Sequence, residues 1–215
     1  MSFFPFTSLV YSAPFASSVS FVTFASILLG AYLIGSLPFG LWISRLVADV
    51  DIREGGSGHV GTTNTMRHAG WTAGVLVLVL DMVKGFVPTY FALKLGLPAW
   101  GIALTAALAV IGHCWSIFAN FRGGMGLATT GGTLLAVSPL GMVIGLGVLV
   151  ALVLLSGHSA RGSAMTGFTI PPVLWLLGQR GVILWAAFAV GWVLAFRFFT
   201  EDWNREYKEL WLDRE

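Results

Sequence analysis

Residues 125–156 read MGLATTGGTLLAVSPLGMVIGLGVLVALVLLS, thirty-two positions without one charged side chain. A helix needs about 20 apolar residues to cross the hydrocarbon core of a bilayer. This run is too long for one crossing, and SPLG (138–141) would break a helix near its middle. It therefore predicts a short span followed by a second over about 139–156. The rest of the chain agrees with a membrane setting. Of 215 residues, 56% are hydrophobic and 10% charged, and the mean hydropathy is +0.83. A soluble domain carries roughly 25% charged residues.

Working outward from that run, residues 20–44 form a candidate span that GSLPFG (35–40) interrupts near its end. Residues 71–93, carrying Asp81 and Lys84, and residues 98–119 supply two more. Residues 163–178 and 181–197, joined by GQRG, complete a count of about seven transmembrane helices in an all-α integral membrane protein. No internal repeat of the kind that builds many transporters is visible. With the N-terminus outside, Arg45, Arg53, Arg67, Arg122, Arg161, Arg197, Arg205, Lys208 and Arg214 fall on one side, against Lys94 and Arg180 on the other. Positive charge collects in cytoplasmic segments, so that side and the C-terminus are expected to be cytoplasmic and the protein to lie in the cell membrane. The organisation expected is a single membrane domain over 1–215. Residues 1–19 form an uncharged extracytoplasmic lead-in without the basic start of a signal peptide. Residues 20–199 form the bundle, and 200–215 an amphipathic cytoplasmic tail.

Net charge is +2, with no basic patch for nucleic acid. Cys114 is the lone cysteine, and His59, His68, His113 and His158 show no ligand spacing, so neither a metal nor a cofactor is expected. Nor does any segment call for an obligate protein partner. Trp71, Trp100 and Trp203 read as interfacial anchors. Gly74, Gly101, Gly141, Gly145 and Gly147 read as close-packing positions between helices.

Two polar loops stand out on the cytoplasmic side. DIREGGSGHVGTTNTMR (51–67) packs four glycines, two arginines, three threonines and an asparagine into seventeen residues. Successive backbone N–H groups in such a loop make an anion-binding concavity, and a following helix N-terminus adds to it. Ser57, Thr62, Thr63 and Asn64 offer donors; Arg53 and Arg67 offer charge and bidentate geometry. A tight interhelical turn with capping residues is the other reading. NFRGGMG (120–126) repeats the arrangement ahead of a second helix, which favours anion binding by both. His113 is either a hydrogen-bonded interior residue or part of that site. Asp81 and Lys84, three apart on one helix face, are a neutralising pair or groups that shape a polar pocket.

The ordered series GSLPFG (35–40), DIR (51–53), GSG-x-x-G-x-TN-x-x-R (56–67), LD-x-x-KG (80–85), GH (112–113) and F-x-GG-x-G-x-AT (121–129) closely resembles the bacterial acyl-phosphate:glycerol-3-phosphate acyltransferases. The resemblance covers about residues 30–130. It implies a seven-helix membrane enzyme, using no metal or acyl carrier, that moves a fatty acyl group from acyl phosphate to the 1-hydroxyl of glycerol 3-phosphate. The products are lysophosphatidic acid and phosphate, so membrane lipid, acyl phosphate and glycerol 3-phosphate are the partners implied. Ser36, Arg45 and His113 would be catalytic. Gly56, Ser57, Gly58, Thr63, Asn64, Arg67, Arg122, Gly123, Gly124 and Gly126 would bind substrate phosphate, and Asn204 the acceptor.

The chain departs from the family pattern at several positions. Met125 stands where the family carries lysine, and His59 where it carries asparagine. GH-x-x-P becomes Gly112-His113-Cys114-Trp115-Ser116, and the serine-rich third motif survives loosely as SGHSARGSAMTGF (156–168). Glu201 and Asp202 replace a basic pair ahead of Asn204. Three other functions stay open on the sequence: the same scaffold with another acceptor, the scaffold with little catalysis, or an anion carrier.

Overall fold

The computed structural model describes residues 20–201; the lead-in 1–19 and the tail from 202 on, with Asp202, Trp203 and Asn204, lie outside the described residues. Among the described residues the chain is all-helical: α1 Phe21–Gly35, α2 Phe39–Ala48, α3 Thr62–Ala69, α4 Trp71–Lys94, α5 Ala99–Cys114, α6 Leu127–Val137, α7 Pro139–Ser156, α8 Ser159–Leu176 and α9 Val182–Glu201. It is an integral membrane fold. Five segments are long and apolar enough to cross a bilayer: Phe21–Ala48, Trp71–Lys94, Ala99–Ala119, Pro139–Ser156 and Val182–Glu201. Of the two further expected spans, α6 has only 11 residues, about 16 Å of helix. The other, α8, has length enough but carries Arg161, Pro171 and Pro172.

Local chemistry sets the boundaries. Ser20 caps α1, its Oγ accepting from the Thr23 amide at 3.2 Å. Pro38 then separates α1 from α2, so the first expected span is two helices, and the second runs on past residue 44 to Ala48. Ser138 and Pro139 divide the charge-free run as expected. Ser138 Oγ accepts from the Gly141 amide at 3.0 Å, and proline opens α7, where its missing N–H costs nothing. Gly70, at φ 88°, both ends α3 and starts α4. The first polar loop was expected to run straight into the second span. Instead Thr62–Ala69 folds as a separate short helix, and Thr63, Asn64 and Arg67 are helical residues.

Helices meet where side chains are absent. A Cβ on Gly85 would sit on the Thr129 carbonyl, which lets α4 and α6 touch backbone to backbone. Gly74, Gly101, Gly141 and Gly145 do face neighbouring atoms, whereas Gly147 has nothing within 4 Å and is not a packing position. The main apolar core joins Val110, Leu134, Ile170, Leu174, Ile183 and Val190 from four helices. Outward faces stay apolar, with Leu154, Leu155 and Trp192 exposed as lipid contact requires. Phe24, Leu97, Val137 and Val182 cluster at one end of the bundle. Both glycine loops and the start of α8 gather at the other. Trp71 and Trp100 are half exposed near the first residues of α4 and α5, where anchors belong.

Candidate active site

Asn64 builds the first loop from beneath. Its side chain is almost wholly buried, and its Nδ2 donates to the carbonyls of Ile52 (2.7 Å), His59 (3.1 Å) and Gly55 (3.2 Å). Its Oδ1 accepts from the Ser57 amide at 3.2 Å. The loop folds over this one amide, and Gly56 must lack a side chain because a Cβ would strike Asn64 Oδ1. Asn64 thus spends its donors on the loop.

Asp51 fastens the loop's other end. Its Oδ1 accepts from the Arg53 amide at 3.1 Å and Arg53 Nε at 2.9 Å, and its Oδ2 from Arg53 Nη2 and Arg45 Nη2, each at 2.6 Å. The Arg53 guanidinium, foremost, holds the Asp51 carboxyl well below the usual carboxylate range, against the opposing effect of burial. The same bond raises Arg53.

The second loop is stitched to the first. Arg122 Nη1 donates to Glu54 Oε1 at 2.9 Å and its Nη2 to the Arg53 carbonyl at 2.8 Å. The Val60 amide donates to the Gly123 carbonyl at 3.2 Å, and the Gly124 amide to the His113 carbonyl at 3.1 Å. From α9, Arg197 donates Nε to the Gly124 carbonyl at 3.2 Å and Nη1 to Glu201 Oε1 at 2.9 Å, with its guanidinium 5.1 Å from the Trp115 ring centre. The two loops are therefore one structure, and they share one cleft.

Of the residues singled out in the sequence, Ser57, Thr63, Asn64, Arg67, His113 and Gly126 line that cleft. The others stand around it. Ser36 is fully buried at the α1–α2 break, its carbonyl accepting from Ser116 Oγ. Arg45 is half exposed and engaged by Asp51, and Arg122 is engaged by Glu54. Gly56, Gly58, Gly123 and Gly124 shape the loop backbones behind the lining. Asn204 lies outside the described residues.

The cleft also contains residues that were not singled out as ligands: His59, Asp81, Met125, Ser159, Ser163 and Phe198. Ser159 and Ser163, four apart on α8, belong to the loose serine-rich segment, and that spacing on one helix face was the available signal. Met125 packs with Ala160, Ala164, Leu194 and Phe198, giving the cleft an apolar wall where a cation was expected. Arg197, counted in the sequence among the cations of the cytoplasmic side, is buried behind the second loop. Asp81 and Lys84 satisfy both of their readings. They pair at 2.7 Å, Lys84 Nζ also donates to the Leu37 carbonyl at 2.8 Å, and Asp81 reaches the cleft.

A cleft with a helix N-terminus, backbone amides, hydroxyls and Arg67 on one side and an apolar wall on the other suits an amphiphile with an anionic head. Comparison with known proteins points the same way. A family profile described as glycerol-3-phosphate acyltransferase matches residues 25–205. The glycerol-3-phosphate acyltransferase of Maridesulfovibrio salexigens is 40% identical over 153 residues, 71% of this chain and 78% of that one. The one from Geotalea daltonii is 33% identical over 171 residues, 80% and 88% of the two chains. Among solved structures, PlsY (YgiH), an integral membrane glycerol 3-phosphate acyltransferase, is similar in its glycerol 3-phosphate form. The TM-score is 0.73 at 34% identity, over 83% of this chain and 89% of that one.

Proposed function

The chain belongs to the glycerol-3-phosphate acyltransferase family and is a membrane acyltransferase; on that premise we propose how its cleft carries out the reaction. The donor is an acyl phosphate, and the acceptor is the 1-hydroxyl of glycerol 3-phosphate. Lysophosphatidic acid and inorganic phosphate leave, and the cleft opens to the cytoplasmic face of the cell membrane.

The observation that carries this reading is the fusion of two glycine loops into one cleft beside an apolar wall. Two substrates that each bear a phosphate need two anion-binding turns within one reacting distance. The first loop, with Ser57, the N-terminus of α3 and Arg67, takes one phosphate. The second loop, ending at Gly126, takes the other. Met125, Leu127 and Phe198 accept the first carbons of the acyl chain where it enters from the lipid.

An acyl phosphate is already activated, so catalysis needs positioning and stabilisation of developing oxyanion charge more than a covalent intermediate. The charge split supports the cytoplasmic orientation: among the described residues, the end of the bundle with the cleft has Arg45, Arg53, Arg67, Arg122, Arg161 and Arg197, against Lys94 and Arg180 at the other end.

One observation favours a second acceptor. Met125 removes a cation from the second loop, while Glu201 stands partly exposed one turn beyond Phe198. An anionic acceptor loses the attraction of that cation, whereas a neutral polyol does not depend on it. Purified protein supplied with palmitoyl phosphate and either glycerol 3-phosphate or glycerol separates the two. Acylation of glycerol 3-phosphate in preference to glycerol supports the proposal; the reverse preference overturns the acceptor assignment, and transfer to neither overturns both.

A further inference from the structure

We propose that Arg197 is the positioning residue of the second loop: from behind the cleft it grips the Gly124 carbonyl, so that the next amide, Met125 N–H, faces a substrate phosphate in place of a loop cation. This rests on the acyl-transfer reading of the cleft and deepens it.

The second loop brings no charge of its own to the cleft. It contributes Met125 and Gly126 to the lining, while Arg122 is drawn aside to Glu54 and the Arg53 carbonyl. Arg197 stands behind the loop and is not held as a surface charge would be. It is 4% exposed, one turn from the end of α9. A long basic side chain at such a place can carry its head out to water, and pairing with Glu201 would be satisfied there. Instead the guanidinium turns inward. Its Nε donates to the Gly124 carbonyl at 3.2 Å and its Nη1 to Glu201 Oε1 at 2.9 Å, and it lies over the Trp115 ring, 5.1 Å from the centre. Trp115 is fixed in turn, its carbonyl accepting from Tyr32 Oη at 2.9 Å. Burying a cation is costly, and packing alone would favour an apolar side chain at this position. A planar fork held on three sides suits a residue whose work is to fix a direction.

The direction it fixes follows from peptide geometry. The Gly123 carbonyl accepts from the Val60 amide at 3.2 Å, and the Gly124 amide donates to the His113 carbonyl at 3.1 Å. Both of those anchors are backbone. The Gly124 carbonyl, by contrast, is held by the Arg197 side chain. A peptide unit is planar and trans, so the Met125 N–H points opposite to that carbonyl. It therefore points away from Arg197, to the side where Met125 and Gly126 line the cleft. Among the described residues no acceptor is bonded to this N–H. Gly126 follows at φ 90° and opens α6, so the Met125 N–H joins the first amides of that helix as one anion-binding turn. A cation on the carbonyl also polarises the peptide and strengthens its N–H as a donor.

The test uses full-length protein in nanodiscs as wild type, Arg197→Met, Met125→Lys, and the two together. Methionine keeps an apolar stem against Trp115 and removes the donors. The readouts are kcat and the KM values for palmitoyl phosphate and glycerol 3-phosphate. The proposal expects Arg197→Met to raise one KM about tenfold or more, as loss of a charge-assisted bond does, and to leave the other within about twofold. In the Met125→Lys background the same change should cost about threefold or less, because a side-chain cation then serves that phosphate directly. An equal loss in both backgrounds would show that Arg197 does not stand in for a loop cation and would overturn the proposal. So would unchanged KM values, or both rising together with a fall in kcat, which is the mark of a distorted cleft. A second measurement needs no variant to fold: inorganic phosphate should slow hydrogen exchange of the amides in 123–127 of the wild type several-fold, and no slowing overturns the proposal on its own. Wild-type protein that transfers no acyl group would instead overturn the acyl-transfer reading. Phosphate protection of 123–127 that Arg197→Met removes would even then support the role given to Arg197, and protection that survives the substitution would overturn it.

Discussion

Replacing Asn64 by alanine tests whether the first loop is a site made by one buried amide. The side chain has two amide protons and one carbonyl oxygen, and all three are used within the loop. At about 1 kcal/mol of net stabilisation per bond, roughly 3 kcal/mol holding the loop is lost. Since 1.4 kcal/mol is a factor of ten, the equilibrium constant for closing the loop falls by about 10²-fold. We expect kcat/KM for glycerol 3-phosphate to fall by that order, measured by lysophosphatidate formed from palmitoyl phosphate. The long apolar helices keep their packing, so the main thermal transition should move little, while limited proteolysis should open residues 52–60. Asn64→Asp is the control. It keeps an acceptor for the Ser57 amide but turns a carboxylate toward three carbonyls, so it should be at least as damaging. Alanine within threefold of wild type with the loop still protected, or aspartate that restores activity, would show that Asn64 does not hold the loop.

Three further outcomes are expected. Met125→Lys should lower KM for a phosphate-bearing substrate by about tenfold, because the lysine stem can follow the apolar wall and set its ammonium in the cleft; steady-state kinetics checks this. Gly85→Ala should destabilise by about 1–3 kcal/mol through its clash with the Thr129 backbone, whereas Gly147→Ala should be neutral or slightly stabilising. Thermal unfolding of the two purified variants decides it. Asp51 has a depressed folded-state pKa, so its contribution is fully present above the unfolded value of about 3.9 and is lost only as pH falls below that toward the folded value. The loop should therefore resist proteolysis equally at neutral and mildly acidic pH, and Asp51→Asn should expose it at both.

The membrane architecture was legible because its signals are local. A charge-free run split by Ser138 and Pro139, and a break at Pro38, need no partner to be read. What the sequence could not convey is held by distant contacts. Thr62–Ala69 is polar and short, and its helix is anchored by Asn64 gripping carbonyls as far back as Ile52. Arg197 looks like a helix-end surface cation until Gly124, 73 residues earlier in the chain, comes to rest beside it. The Asp81–Lys84 pair was visible from its spacing, but the approach of His113 requires α4 to pack against α5. Single glycines carry no mark of what they face, which is why Gly147 was included in error and Gly85 passed over. Within the site, the loop and its arginine could be named, while the division between lining residues such as Ser57 and scaffold such as Asp51 required the fold.

Phosphate binding by the fused loops is tested by equilibrium binding of radiolabelled glycerol 3-phosphate to purified protein. Binding is expected to be saturable, displaced by inorganic phosphate but not by glycerol, and abolished by Arg67→Ala. Binding displaced by glycerol but indifferent to phosphate, or unchanged by Arg67→Ala, would contradict it.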